Sequence, residues 1–118
     1  NFWAIGVDAD QYAAMSGKPE LAKHILTSSE KKCDVAILQS IKLMLDGNAE
    51  YGTQKTLGFV DGAVGLAENE NYKANMTADQ LAKVEEMKKK LAAGEIKVID
   101  QLKDDKAYDT WLDKVGLK

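Results

Sequence analysis

Two aspartates near the start of the chain lie where a ligand could be held. Asp8 and Asp10 directly follow the apolar run "WAIGV", which has the pattern of a buried strand. Open α/β sheets bind ligands at the carboxyl ends of their strands, and an ionised carboxylate there can only accept hydrogen bonds. Asp8 would therefore suit two neighbouring hydroxyls of a sugar. The alternative is that either aspartate simply caps the next turn or helix, a position that aspartate favours.

A different chemistry also begins with two aspartates separated by one residue. The D-x-D pattern after an apolar strand resembles the opening of haloacid-dehalogenase-like phosphotransferases, which would make Asp8 a nucleophile and Asp10 an acid. In that family Thr or Val normally follows, whereas here Gln11 and Tyr12 follow. A small magnesium-dependent phosphotransferase or phosphatase is therefore the second prediction.

A basic candidate, Lys31, lies in the stretch "ILTSSEKKCDVAI". We expect Lys31 in the first turn of a helix, where the helix dipole disfavours a cation, so a ligand is one reason for its placement. His24 is the only histidine, which excludes a metal site built from several histidines. The single cysteine, Cys33, excludes an internal disulfide, and we expect a buried or half-buried thiol.

The elements that position these residues alternate between strands and helices. "FWAIGV" and "KHILTS" predict strands, and apolar residues at three- and four-residue steps predict a helix over about 31–46 that ends before Gly47. A capping-box spacing at Thr77 and Gln80 begins a second helix, which ends at Gly94. The pattern also predicts strands at 56–60, 63–67 and 96–99. A short amphipathic tail completes the chain. The pattern predicts an α/β fold of three layers, a mainly parallel sheet with flanking helices.

Composition narrows the classes of partner. The chain has 118 residues and a net charge of -3, and all 16 basic residues are lysines. Without arginine there is no guanidinium fork for phosphate or guanine, so we expect no nucleic-acid partner. The longest apolar runs are far shorter than a membrane span.

Taken together, four segments resemble a known family. "WAIGVDADQ", "ILTSSEKKCDVAI", "LGFVDGAVGLA" and a capped helix ending in "GEIKV" are similar, in order and spacing, to the C-terminal part of the basic membrane protein family of lipoproteins. These are substrate-binding components of nucleoside-importing ABC transporters, with two α/β lobes in the type I periplasmic-binding-protein fold. The resemblance implies no enzymatic reaction, no cofactor and no metal.

The resemblance also assigns roles to the candidate residues. It implies that Asp8 accepts hydrogen bonds from the ribose hydroxyls of a nucleoside of the purine type and that Lys31 donates to the same sugar. Ser29 and Glu30 replace the apolar residues that precede this lysine in the family, so Lys32 is a second candidate. Asp10 is the third predicted ligand-binding residue.

The resemblance further implies that this chain is a C-terminal fragment of a two-lobe protein. Residues 31–52 would belong to the first lobe and the remainder to the second. The intact parent would be anchored by a lipid, outside this chain, on the extracytoplasmic face of the membrane, where it would serve an ABC permease. A fragment with unpaired sheet edges and an uncovered apolar helix face would self-associate, or fold its helix over its own sheet.

Overall fold

The computed structural model describes residues 2–99 and 105–117. Its elements confirm the α/β class, and their order is β1 (Ala4–Asp8), α1 (Gln11–Ala14), α2 (Pro19–Ala22), β2 (Ile25–Lys31), α3 (Cys33–Leu45), β3 (Val64–Leu66), α4 (Glu70–Asn75), α5 (Ala78–Ala92) and α6 (Asp105–Lys114).

The three strands form one sheet in the order β1-β2-β3. β1 and β2 are parallel, with Asp8 paired to Glu30, so both strands end at the same edge of the sheet. β3 runs antiparallel to β2 and pairs Val64 with Lys31. The backbone N–H of Lys32 then donates to the carbonyl of Ala63 at 2.8 Å, which extends the contact between the two strands. The expected parallel pairing is therefore present at β1 and β2, and β3 adds an antiparallel edge.

Two predicted strands are absent from the described residues. Residues 56–60 are irregular because the Asp61 carboxylate accepts the backbone N–H of Gly58 at 2.8 Å and closes a turn. A side chain that binds the local backbone in this way competes with strand pairing. Residues 96–99 are also irregular, and Val98 and Ile99 line an apolar groove instead of pairing with the sheet.

The two longer helices begin and end close to where the sequence places them. α5 opens with the predicted capping box, in which Thr77 N–H donates to Gln80 Oε1 at 2.8 Å and Gln80 N–H donates to Thr77 Oγ1 at 3.3 Å. Gly94 follows the helix with a φ of 73°, the left-handed conformation that terminates helices. α3 ends in the same way before Gly47.

The buried core is small and lies around β2, with one residue from α2, one from α4 and the two residues that flank β3. Its apolar members are Ala22, Ile25, Ala63, Ala67 and Tyr72. The Cα radius of gyration is 17.3 Å, whereas a close-packed domain of this length has a radius of about 13–14 Å. The described residues are therefore not packed around one central core.

Long apolar surfaces remain exposed beside this small core. No other helix or strand of the described residues packs extensively against α3, so the helix does not cover the sheet. On β1, Ile5 and Val7 are exposed, and α3 exposes five apolar side chains, namely Ile37, Leu38, Ile41, Met44 and Leu45. These faces have the character of packing surfaces.

Candidate functional site

The structure brings Asp8 and Lys31 together at the carboxyl edge of the sheet. Asp8 is the last residue of β1 and Lys31 is the last residue of β2. Lys31 Nζ lies 2.7 Å from Asp8 Oδ1, and each side chain is 68% exposed. The neighbouring carboxylate raises the pKa of Lys31 by accepting a hydrogen bond from its ammonium group and by attracting its charge.

The predicted helical placement of Lys31 is wrong. Lys31 is held in an extended conformation because it pairs with Val64 of β3, and α3 begins only at Cys33. The strand, rather than the helix dipole, therefore directs the ammonium group toward Asp8.

The ion pair lies in a polar surface concavity of about 440 Å³. The charged residues that line it are four acids and two lysines, namely Asp8, Asp10, Glu30, Asp34, Lys31 and Lys32. Acceptors outnumber cations, so the arrangement suits a neutral ligand that donates hydrogen bonds from hydroxyl groups. A phosphate group would meet an excess of negative charge.

Asp10 makes the capping contacts that aspartate favours before a helix. It is the N-cap of α1, and its Oδ1 accepts the backbone N–H of Tyr12 at 3.1 Å. The same oxygen accepts Asn69 Nδ2 at 3.1 Å, which connects the turn to the start of α4. Asp10 lines the concavity beside Asp8, and its contact with a ligand stays a prediction.

Asp8 has an unusual backbone conformation. Its φ is 78°, and within residues 2–99 and 105–117 no other non-glycine residue has a positive φ. L-residues enter this left-handed region at a steric cost, although aspartate tolerates it better than most. Such residues cluster where function requires a particular side-chain direction.

Two polar residues that the sequence analysis did not identify hold the turn that contains Asp8. Gln11 Nε2 donates to the carbonyl oxygen of Val7 at 3.0 Å, and the Gln11 backbone N–H donates to Ser28 Oγ at 3.0 Å. Ser28 is fully buried. The signal in the sequence is Gly6, because a glycine inside a strand often marks the close approach of another group. A Cβ at Gly6 would lie 2.5 Å from both Gln11 Cγ and Ser28 Oγ.

A second link joins α1 to α4. The Tyr12 hydroxyl donates to Glu70 Oε2 at 3.0 Å. This hydrogen bond, together with the negative charge of Glu70, raises the pKa of Tyr12. With the bond between Asn69 and Asp10, it ties the turn after β1 to the amino end of α4 from two sides.

The remaining candidates lie outside the ion pair. The Lys32 side chain extends over β3, with Nζ 3.3 Å from the point that a Cβ on Gly65 would occupy. His24 precedes β2, at the opposite end of that strand from Lys31, and its ring stacks on Phe2 with centroids 4.5 Å apart. Cys33 is exposed, so the expectation of a buried or half-buried thiol is wrong.

A larger groove of about 960 Å³ lies between α5 and β3, but neither Asp8 nor Lys31 lines it. Its walls are mainly apolar and include Leu57, Phe59, Val64, Leu66, Val84, Met87 and Leu91. Apolar side chains of this kind indicate a packing surface, and we place the candidate site at the smaller, charged concavity.

The geometry gives no support to a magnesium-dependent site. Within the part of the chain that the structure describes, no three histidine, cysteine, aspartate or glutamate side chains are grouped to hold a metal ion. Asp10 Oδ1, which would belong to the acid in that reaction, is already bonded to Tyr12 and Asn69.

The family model for Bmp, described as ABC transporter substrate-binding protein PnrA-like, matches residues 1–102. The chain belongs to the Bmp family. Curated relatives of this Bmp chain include proteins named "CD4+ T-cell-stimulating antigen" from Listeria monocytogenes and Listeria innocua. Each is 39% identical over 101 residues, which cover 81% of this chain and 27% of the relative.

A solved structure confirms the periplasmic-binding type of fold for this Bmp chain. The crystal structure of ABC transporter system solute-binding proteins from Aeropyrum pernix K1 matches with a TM-score of 0.64 and 26% identity. The match covers 98% of this chain and 38% of that chain. The Bmp chain thus spans between a quarter and two-fifths of the length of these relatives. None of the helices within residues 2–99 and 105–117 combines the length and apolar character needed to cross a membrane.

Proposed function

We propose that this chain supplies the sugar-binding side of an ABC transporter substrate-binding protein that captures a nucleoside of the purine type. The intact protein would catalyse no reaction and would deliver its ligand to a membrane permease. The observation that carries this proposal is the Asp8–Lys31 pair, 2.7 Å apart at the carboxyl edge of parallel strands in a Bmp-family chain.

The pair has the chemistry that a ribose requires. The Asp8 carboxylate accepts hydrogen bonds and the Lys31 ammonium group donates them, so together they match hydroxyl groups that do both. Both side chains are largely exposed, and exposed ion pairs contribute little to folding. The pair is therefore better explained by ligand binding than by a contribution to the stability of the fold.

The charge of the concavity favours a nucleoside over a nucleotide. Four acidic residues and two lysines line it, so a phosphate on the sugar would be repelled. A neutral nucleoside avoids this repulsion and still offers two adjacent hydroxyls to Asp8.

We further propose that residues 31–52 belong to the first lobe of a two-lobe protein and that the rest of the chain belongs to the second. The separation of α3 from the sheet and its exposed apolar stripe support this division, because such a face would pack in another lobe. The intact protein would be lipid-anchored on the extracytoplasmic face of the membrane. The isolated chain would self-associate through its exposed apolar faces.

The test is calorimetric titration of inosine into the full-length product of the encoding gene. Asp8→Ala should weaken binding by about 1–3 kcal/mol, which is about 5- to 150-fold, through the loss of charge-assisted hydrogen bonds. Asp79→Ala is the matched control because it removes an exposed carboxylate from the first turn of α5, outside the concavity.

Two results would contradict the proposal. Unchanged inosine affinity in Asp8→Ala would remove Asp8 from the site. Magnesium-dependent hydrolysis of a generic phosphate ester that Asp8→Asn abolishes would establish the phosphotransferase alternative instead.

A second experiment compares the binding of inosine with that of inosine 5′-monophosphate. Tighter binding of the nucleotide would refute the argument from the charge of the concavity.

A further inference from the structure

The left-handed conformation of Asp8 needs a physical cause. β1 must turn sharply into α1, which begins only three residues after Asp8. For a non-glycine residue the left-handed region costs more sterically than the extended region. Something in the surrounding structure must therefore select the strained path.

Gln11 makes two contacts that select it. Its side-chain amide donates to the Val7 carbonyl at 3.0 Å, which orients the peptide plane between Val7 and Asp8. Its backbone N–H donates to the hydroxyl of the fully buried Ser28 at 3.0 Å, which anchors the chain just beyond the turn. Because the Val7 carbonyl and the Gln11 backbone are both held, the residues between them must form a tight turn.

The packing around Gly6 supports the same conclusion. The Gln11 side chain lies directly over Gly6, where a Cβ would come within 2.5 Å of Gln11 Cγ. The absence of a side chain at this point of β1 allows Gln11 to reach the Val7 carbonyl. The conformation of the turn thus depends on Gly6 of β1, Gln11 of α1 and Ser28 of β2.

We propose that Gln11 is a positioning residue that holds Asp8 in its left-handed conformation and so sets the ligand affinity of the Asp8–Lys31 site. This inference rests on the proposed function, because it assumes that Asp8 accepts hydrogen bonds from the ligand. Gln11 itself contacts no ligand in this account and acts through the backbone of Asp8. Ser28 is its anchor in the sheet.

The test uses Gln11→Met in the full-length gene product, because methionine keeps the aliphatic contact over Gly6 and removes the amide donor. The matched control is Gln39→Met. Gln39 Nε2 donates to the backbone carbonyl of Asp61 at 2.8 Å, so the control loses the same kind of bond away from the concavity. Gln11→Leu is a second apolar variant in case methionine at this position impairs folding.

Two quantities are measured on each variant. Calorimetry gives the inosine affinity. Peptide mass spectrometry gives the rate at which an N-hydroxysuccinimide ester acetylates Lys31. Gln11→Met should weaken inosine binding about three- to tenfold, the effect of one hydrogen bond. It should also speed acetylation of Lys31 by about twofold or more, since an amine that loses its carboxylate partner is less protonated. Gln39→Met should change neither quantity.

The outcomes separate this inference from the proposed function. If Asp8→Ala leaves inosine affinity unchanged, the proposed function fails, and the acetylation rate in Gln11→Met still decides whether Gln11 holds Asp8. An unchanged acetylation rate in Gln11→Met overturns the positioning role, even where inosine affinity falls. Equal effects of Gln39→Met would overturn it too, by showing that general loosening is the cause.

Discussion

Replacing Gly6 by alanine tests the close packing beneath the candidate site. The added Cβ would lie 2.5 Å from Gln11 Cγ, 2.8 Å from Gln11 Cβ and 2.5 Å from the hydroxyl of Ser28. Real Cβ atoms do not approach other heavy atoms so closely, so either Gln11 or Ser28 must move. Moving them breaks the bonds to the Val7 carbonyl and to the Gln11 N–H. Overpacking and lost hydrogen bonds together should lower the free energy of unfolding by about 1–3 kcal/mol.

The assay is urea unfolding, monitored by tryptophan fluorescence. With a typical slope of about 1–3 kcal/mol per molar urea, the Gly6→Ala midpoint should fall by about 1 M. Gly17→Ala is the matched control, because nothing lies within 4 Å of a Cβ at Gly17 and its φ is not left-handed. Gly17→Ala should leave stability unchanged or raise it slightly. Equal midpoints for the two variants would refute the packing that the structure shows around Gly6.

Two further predictions concern Tyr12 of α1 and the capping box of α5. Glu70→Gln should lower the pKa of Tyr12, because it removes the carboxylate whose hydrogen bond and negative charge raise that pKa, and Glu86→Gln should not. The stabilisation from this bond is complete below the unfolded tyrosine pKa of about 10 and is lost as pH rises through the higher folded value. Tyrosinate absorbance against pH measures the pKa of Tyr12. An unchanged titration curve in Glu70→Gln would contradict the contact between Tyr12 and Glu70. Thr77→Ala should cost about 1 kcal/mol by breaking the capping box of α5. Circular dichroism during thermal unfolding tests this against Thr110→Ala, where no cap is lost, and equal melting of the two variants would contradict it.

Local features of the fold were predictable because their causes lie within a few residues. The capping box at Thr77 and the left-handed Gly94 define α5 by hydrogen bonds and backbone sterics inside one turn. The position of Asp8 at a strand end also followed from the apolar run before it. By contrast, the strand predicted at 56–60 was wrong because one side chain, Asp61, closes a turn that periodicity does not reveal.

The candidate site shows the same division. Residue types and the family resemblance selected Asp8 and Lys31, but the residue pattern placed Lys31 in a helix. Pairing with Val64, which lies 33 residues further along the chain, makes Lys31 part of a strand and turns its ammonium group toward Asp8. Gln11 was missed because its partner Ser28 is separated from it by 17 residues.

The sequence by itself therefore determined the α/β class, both ends of α5, the carboxyl end of α3 and the carboxylate at the end of the first strand, since each arises from short-range sterics and hydrogen bonding. The tertiary structure decided the direction of β3, the strand conformation of Lys31 and the left-handed turn at Asp8. These depend on hydrogen bonds between segments far apart in the chain, whose partners are chosen only when the strands have come together.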